Sequence, residues 1–240
     1  MILGGGALGA AAIGAGGAGI FRLHATPRRR PFLTDAHLNA LDASALPEPR
    51  LLFIGNSMVL RGDLPARVVA RAAADGQSLG VATAAAEGAR LIETWRIETF
   101  REMLTREPWD AVVVQDFTKT PLRAIDRAGS AFAIRAIARA AAPAHLLLYP
   151  PFPAAAGNAV YRDAGRLTAV PESPEDYARR STAHYAALAG GRITVVHVPS
   201  RWLEEGEAGF YAPDGHHPSE AGSDFIAGVI WDHLRFILQN

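Results

Sequence analysis

Leu51-Leu52-Phe53-Ile54-Gly55-Asn56-Ser57 is the stretch from which the fold is read. Four apolar residues in a row read as a buried strand, and Gly55 ends the run where the backbone must turn. Asn56 and Ser57 then set two small polar side chains at the strand's exit. Asp63-Leu64-Pro65 announces a helix soon after, with an acidic cap and a proline in the first turn. Strand, glycine turn, polar pair and helix place Ser57 at the carboxyl edge of a strand in an open α/β sheet, where such folds hold their ligands. Gly, Asn and Ser also favour ordinary turns, so the stretch takes its meaning from the rest of the chain.

Outward from this stretch the chain alternates strand and helix. Strand Arg50–Gly55 precedes a helix from about Leu64 to Ala74, with Leu64, Val68 and Ala72 on one face and Asp63 as its cap. A strand follows over Leu79–Ala84, then a turn holding Gly88 and a helix carrying Leu91, Trp95 and Met103. Ala111–Val114 is a fully buried strand by composition. The Ala-rich run Ala124–Ala142 reads as helix, His145–Tyr149 as the fourth strand, Glu172–Leu188 as helix and Ile193–Val198 as the fifth strand. A last amphipathic helix runs from about Ser219 to Leu238. The pattern predicts an α/β fold with a parallel sheet covered on both faces.

With 240 residues, 49% of them hydrophobic, the chain suits one α/β domain of about residues 50–240 plus an appendage. Lys+Arg and Asp+Glu balance at 24 each, so no basic surplus points to nucleic acid. The absence of cysteine removes disulfides, thiolate catalysis and Cys-based zinc sites.

Residues 1–21 form an apolar Gly/Ala-rich segment, read as an export signal or a membrane anchor, with membrane association through residues 2–21. Its composition resembles the apolar part of twin-arginine export signals, which favours an exported or envelope-anchored protein. As a true span, followed by Arg22 and Arg28-Arg29-Arg30, it would instead favour a cytoplasmic domain. Its two G-x-G-x-x-G matches follow no strand and carry no dinucleotide signal. Residues 22–49, rich in Pro and Arg, read as a linker with one short helix around Asp35 to Leu41.

Asp214-Gly215-His216-His217-Pro218 is the second informative stretch. Asp214 and His217 can fold in one turn onto the same side, while Pro218 keeps His217 out of helical geometry. A carboxylate beside an imidazole fixes its tautomer and stabilises the imidazolium formed when it takes a proton. That serves a nearby nucleophile, and Ser57 is the obvious one. His216, on an extended segment, points away from His217. The His-His pair lacks the spacing of a helical zinc site, so no metal is expected. The remaining histidines have no partner pattern, and Arg61-Gly62-Asp63, formally an integrin-type tripeptide, is discounted between the Ser57 loop and a helix.

Phe53-Ile54-Gly55-Asn56-Ser57, Gly88 after the second strand, and Asp214-x-x-His217-Pro218 together resemble the SGNH, or GDSL-like, hydrolase family over about Arg50 to Asn240. The resemblance implies a three-layer α/β/α sandwich with a five-stranded parallel sheet. It also implies Ser57 as nucleophile, His217 as general base and Asp214 as its orienter, with an oxyanion held by the N–H groups of Ser57 and Gly88. The family's Gly-x-Asn-Asp block supplies an asparagine as third donor. Here the chain reads Val113-Val114-Gln115-Asp116, and Gln115 is assigned that place; losing one such donor typically costs about 3 kcal/mol in the transition state. Asp116 holds the Gln115 loop or is a turn residue, and Asn56 fixes the nucleophile loop.

The function implied is a serine esterase that needs no cofactor and cleaves a carboxylic ester, such as a short acyl group on a carbohydrate. Acyl transfer to an envelope glycan by the same triad, or an inactive glycan-binding module, are the rivals. Pro150 to Pro171 is too long for an ordinary connection and follows a strand's carboxyl end. Tyr161 and Arg162 within it, and Trp202, are the expected substrate contacts.

Overall fold

In a computed structural model, the structure describes residues 20–23, 38, 41–162, 170–206 and 208–239. Its sheet holds β1 (Ile20–Leu23), β2 (Arg50–Gly55), β3 (Gly80–Ala85), β4 (Ala111–Gln115), β5 (His145–Tyr149) and β6 (Ile193–Val195). All pairings are parallel, in the order β1-β3-β2-β4-β5-β6. The five expected strands are thus present, and β1 adds a sixth at the edge of β3. The expected boundary after residue 21 falls inside β1. Residues 1–19, the bulk of the apolar segment, lie outside the described residues, as do 24–37. Leu38, Leu41, Ala43 and Leu46 belong to the buried core, so the later part of the stretch read as a linker is built into the domain. Among the described residues, no helix is long and apolar enough to cross a membrane.

The helices are α1 (Ser57–Leu60), α2 (Leu64–Ala74), α3 (Leu91–Trp95), α4 (Glu98–Arg106), α5 (Ala124–Ala140), α6 (Pro174–Ala186), α7 (Val198–Glu205) and α8 (Glu220–Gln239). Strand side chains alternate between faces, which divides the core in two. Leu51, Phe53, Val113, Leu147 and Tyr149 pack with Met58, Val59, Val68, Ile230 and Leu234 of α1, α2 and α8. Leu52, Ile54, Val112, Val114, Leu146 and Leu148 pack with Leu91, Met103, Ile134 and Ile137 of α3, α4 and α5. Near-continuous apolar strands follow from burial on both faces. Truncating a side chain such as Leu147, which has no exposed surface, would cost about 2–5 kcal/mol.

The helix expected through Leu91, Trp95 and Met103 is broken in two. Ile97 takes an extended ψ of 119° and packs against the core. The Arg101 guanidinium donates to the freed carbonyls of Trp95 and Arg96, both at 3.0 Å, which satisfies acceptors a helix end leaves open. The fifth strand is shorter than expected, because the chain turns into α7 at Val198 with Pro199 in its first turn. Asp63 occupies the N-cap position of α2 with a left-handed φ of 48° and makes no side-chain cap bond.

The strand order positions the site. From β2 the chain crosses to β3 on one side and later to β4 on the other. The crevice at the carboxyl end of β2 is therefore a topological switch point, where open α/β sheets bind ligands.

Candidate active site

Three loops meet in this crevice, after β2, β3 and β4. Gly55 closes β2 with no room for a side chain: a Cβ there would lie 2.5 Å from Val59 Cγ2 and 3.0 Å from Gln115 Oε1. Asn56 fixes the turn. Its Oδ1 accepts the Met58 N–H at 3.2 Å, and its Nδ2 donates to the Ala89 carbonyl at 3.1 Å, tying the Ser57 loop to the Gly88 loop. Ser57 opens α1 and is 8% exposed.

The last loop brings its partners. Asp214 Oδ1 accepts the N–H groups of His216 and His217, each at 2.9 Å. Asp214 Oδ2 lies 2.6 Å from His217 Nδ1, and His217 Nε2 lies 3.0 Å from Ser57 Oγ. A carboxylate only accepts, so Nδ1 carries the proton and Nε2 is left to accept from the serine hydroxyl. Burial alone would raise the Asp214 carboxyl, but the hydrogen bonds from the His217 and His216 N–H groups and the His217 ring hold it well below the usual carboxylate range. Serine, imidazole and carboxylate thus stand in the order required for proton transfer from a nucleophile.

The Ser57 and Gly88 N–H groups have no acceptor among the described residues. Gly88 is exposed, with a left-handed φ of 68°. Gln115 sits differently from a freely presented donor. It is 1% exposed; its Oε1 accepts the Asn56 N–H at 3.2 Å and its Nε2 donates to the Asp116 carbonyl. One amide hydrogen is left. Asp116 is a hub rather than a turn residue: its Oδ1 accepts the N–H groups of Leu91 at 2.9 Å and Phe117 at 2.6 Å. Burial pushes its carboxyl up, against the hydrogen bonds from the Leu91 and Phe117 N–H groups.

The expected substrate contacts each have partners of their own. Trp202 is 2% exposed and stacks on Phe152 at 4.0 Å between centroids, which makes its indole part of the core. The Tyr161 hydroxyl donates to the Ala154 carbonyl at 2.7 Å, and Arg162 Nη2 to the Gly157 carbonyl at 2.8 Å, both within their own loop. The described part of that loop braces the last one instead. The Ala155 N–H donates to the Gly215 carbonyl at 2.8 Å, and Asn158 Nδ2 reaches the Asp214 and Gly215 carbonyls at 3.3 Å. His216 does not point away. Its ring stands edge-on to His217 at 4.8 Å, and burial, with the neighbouring His217 adding to it, pushes its imidazole down to about 4.

Sequence reasoning passed over Arg61. Its Nε and Nη2 donate to Glu87 Oε1 and Oε2 at 3.2 and 3.1 Å, and its Nη1 lies 3.3 Å from His217 Nδ1. The only signal was its place four residues after Ser57, one helical turn on.

A parallel α/β/α sandwich with a serine, two loop N–H groups and an Asp-His pair at its switch point has the layout of an SGNH-like hydrolase. No family model and no curated protein matches the chain. Solved structures do. A candidate SGNH hydrolase from Slackia heliotrinireducens is 28% identical, with a TM-score of 0.62 over 77% of this chain and 98% of that one. A family 3 carbohydrate esterase from Clostridium thermocellum is 15% identical, with a TM-score of 0.60 over 79% and 96% of the two chains. A lipase/acylhydrolase from Enterococcus faecalis is 18% identical, with a TM-score of 0.55 over 78% and 95%. In its fold the chain is similar to these hydrolases over most of its length.

Proposed function

We propose that this protein is a serine esterase that cleaves a carboxylic ester through an acyl-enzyme, with Ser57, His217 and Asp214 as its triad. The observation that carries the reading is His217 lying between Ser57 Oγ at 3.0 Å and Asp214 Oδ2 at 2.6 Å. Ser57 Oγ attacks the ester carbonyl while its proton passes to His217 Nε2, and Asp214 stabilises the imidazolium. The oxyanion is received by the Ser57 and Gly88 N–H groups, with the remaining Gln115 amide hydrogen as third donor. Collapse expels the alcohol, which takes the proton from His217. Water, deprotonated by His217, then attacks the acyl carbon and releases the acid and Ser57.

The substrate class we assign is a small ester, such as a short acyl group on a carbohydrate, met at the cell envelope. Export or anchoring rests on the composition of residues 1–21. The test is turnover of a short-chain aryl ester by wild type and Ser57→Ala, with products analysed with and without an acceptor sugar. Free acid from wild type alone supports the esterase. Acyl sugar as the main product makes the protein a transferase, and turnover equal in both proteins removes the triad.

A further inference from the structure

Among the described residues, Arg61 is the cation that touches the Asp-His pair. It caps the C-terminus of α1, its N–H donating to the Ser57 carbonyl at 2.9 Å. Its guanidinium grips Glu87 in a two-point fork at 3.2 and 3.1 Å, and Glu87 directly precedes Gly88. Its Nη1 reaches the other loop, 3.3 Å from His217 Nδ1 and 3.9 Å from Asp214 Oδ2. Since the Nδ1 proton is directed to Asp214, Nη1 lies alongside that bond as a charge. One side chain therefore spans the nucleophile turn, the Gly88 loop and the Asp214–His217 loop.

We propose that Arg61 is a positioning residue that locks these three loops in register, and that Glu87 balances its charge so that the His217 imidazolium can form. The proposal rests on the triad reading. The physical need is plain. The imidazolium formed in acylation would face the Arg61 cation at close range, and an unbalanced cation there disfavours it. Glu87, held in a planar fork suited to a carboxylate, supplies the balance without touching His217. Among the described residues, the other groups facing His217 are Asp214, the Ser57 hydroxyl and the His216 ring, with Lys119 near His216. His216, held neutral above about pH 4, adds no charge in the range where an imidazole base works.

The experiment is the pH dependence of kcat/KM on a short-chain aryl ester for Arg61→Gln, Glu87→Gln and the double variant, beside Ser57→Ala. Removing the cation should move the acid limb up by about half to one pH unit, and removing the anion should move it down by a similar amount. The double variant should return towards wild type. Arg61→Gln should also lower kcat about tenfold with little change in KM, as the Gly88 loop loosens. Each single variant carries its own signed shift, so either alone decides. Loss of activity with an unmoved acid limb, or shifts of the same sign in both, overturns the proposal while an inert Ser57→Ala leaves the triad standing. Turnover by Ser57→Ala removes both.

Discussion

The Gln115 side-chain oxygen accepts the Asn56 N–H at 3.2 Å, across the seam between β4 and β2. Backbone pairing of these strands ends at Ile54 and Val114. The amide side chain therefore extends the ladder beyond the strands and props the turn that presents Ser57. Gln115→Ala would leave the buried Asn56 N–H without its partner. We expect a loss of about 1–3 kcal/mol in urea unfolding, together with a lower kcat. Unchanged stability would contradict the bracing role.

Gly88→Ala tests the second donor. A Cβ at Gly88 meets nothing within 4 Å, so the substitution acts through its φ of 68°, a conformation that costs other L-residues about 1–2 kcal/mol. The fold should persist and the loop should shift. A fall of about 10- to 100-fold in kcat with KM nearly constant is expected; wild-type kcat would take the Gly88 N–H out of the oxyanion site.

Asp214→Asn keeps an oxygen for the His216 and His217 N–H groups but loses the carboxylate that fixes the ring. Turnover should fall by about 10⁴-fold, and the melting temperature should drop as well, because the ionised Asp214 stabilises the folded loop. Asp214, held well below the usual carboxylate range, stays ionised as the pH falls below neutral. The wild-type acylation rate should therefore fall with acidification as His217 takes up a proton. A rate that does not fall on acidification would exclude His217 as the base.

Stability should carry its own pH dependence. Burial, with Arg127 adding to it, pushes the His184 imidazole from its ordinary 6.5 down to about 4, and His216 is depressed to a similar value. Below pH 6.5 the unfolded chain takes up protons that the folded protein refuses until about pH 4. Stability is thus complete above the upper value and falls as pH drops through this window. His184→Gln should flatten that slope in thermal unfolding. A slope identical to wild type would show that burial of His184 plays no part.

Much of the fold is legible because burial on both faces writes itself as runs such as Leu51–Ile54 and Leu146–Leu148. β1 is not legible, because Ile20–Leu23 continues a Gly/Ala-rich run with no period of its own. α7 is missed because Val195, Val196 and Val198 read as strand, although Val198 already opens the helix with Pro199 in its first turn. In the site, Ser57, Asp214 and His217 stand out by residue type and local spacing. Arg61 does not, because its partners Glu87 and His217 come close only through the fold. Trp202 misleads for the same reason: Phe152, which covers it, lies in a distant loop.

The central claim is that Ser57 Oγ is the nucleophile that His217 activates. The most direct measurement is the mass of the intact protein, with its labelled peptide, after reaction with a fluorophosphonate. We expect one adduct, on Ser57, that is absent from Ser57→Ala and forms far more slowly in His217→Ala. No adduct on the wild-type protein, or the same adduct mass on Ser57→Ala, would contradict the account.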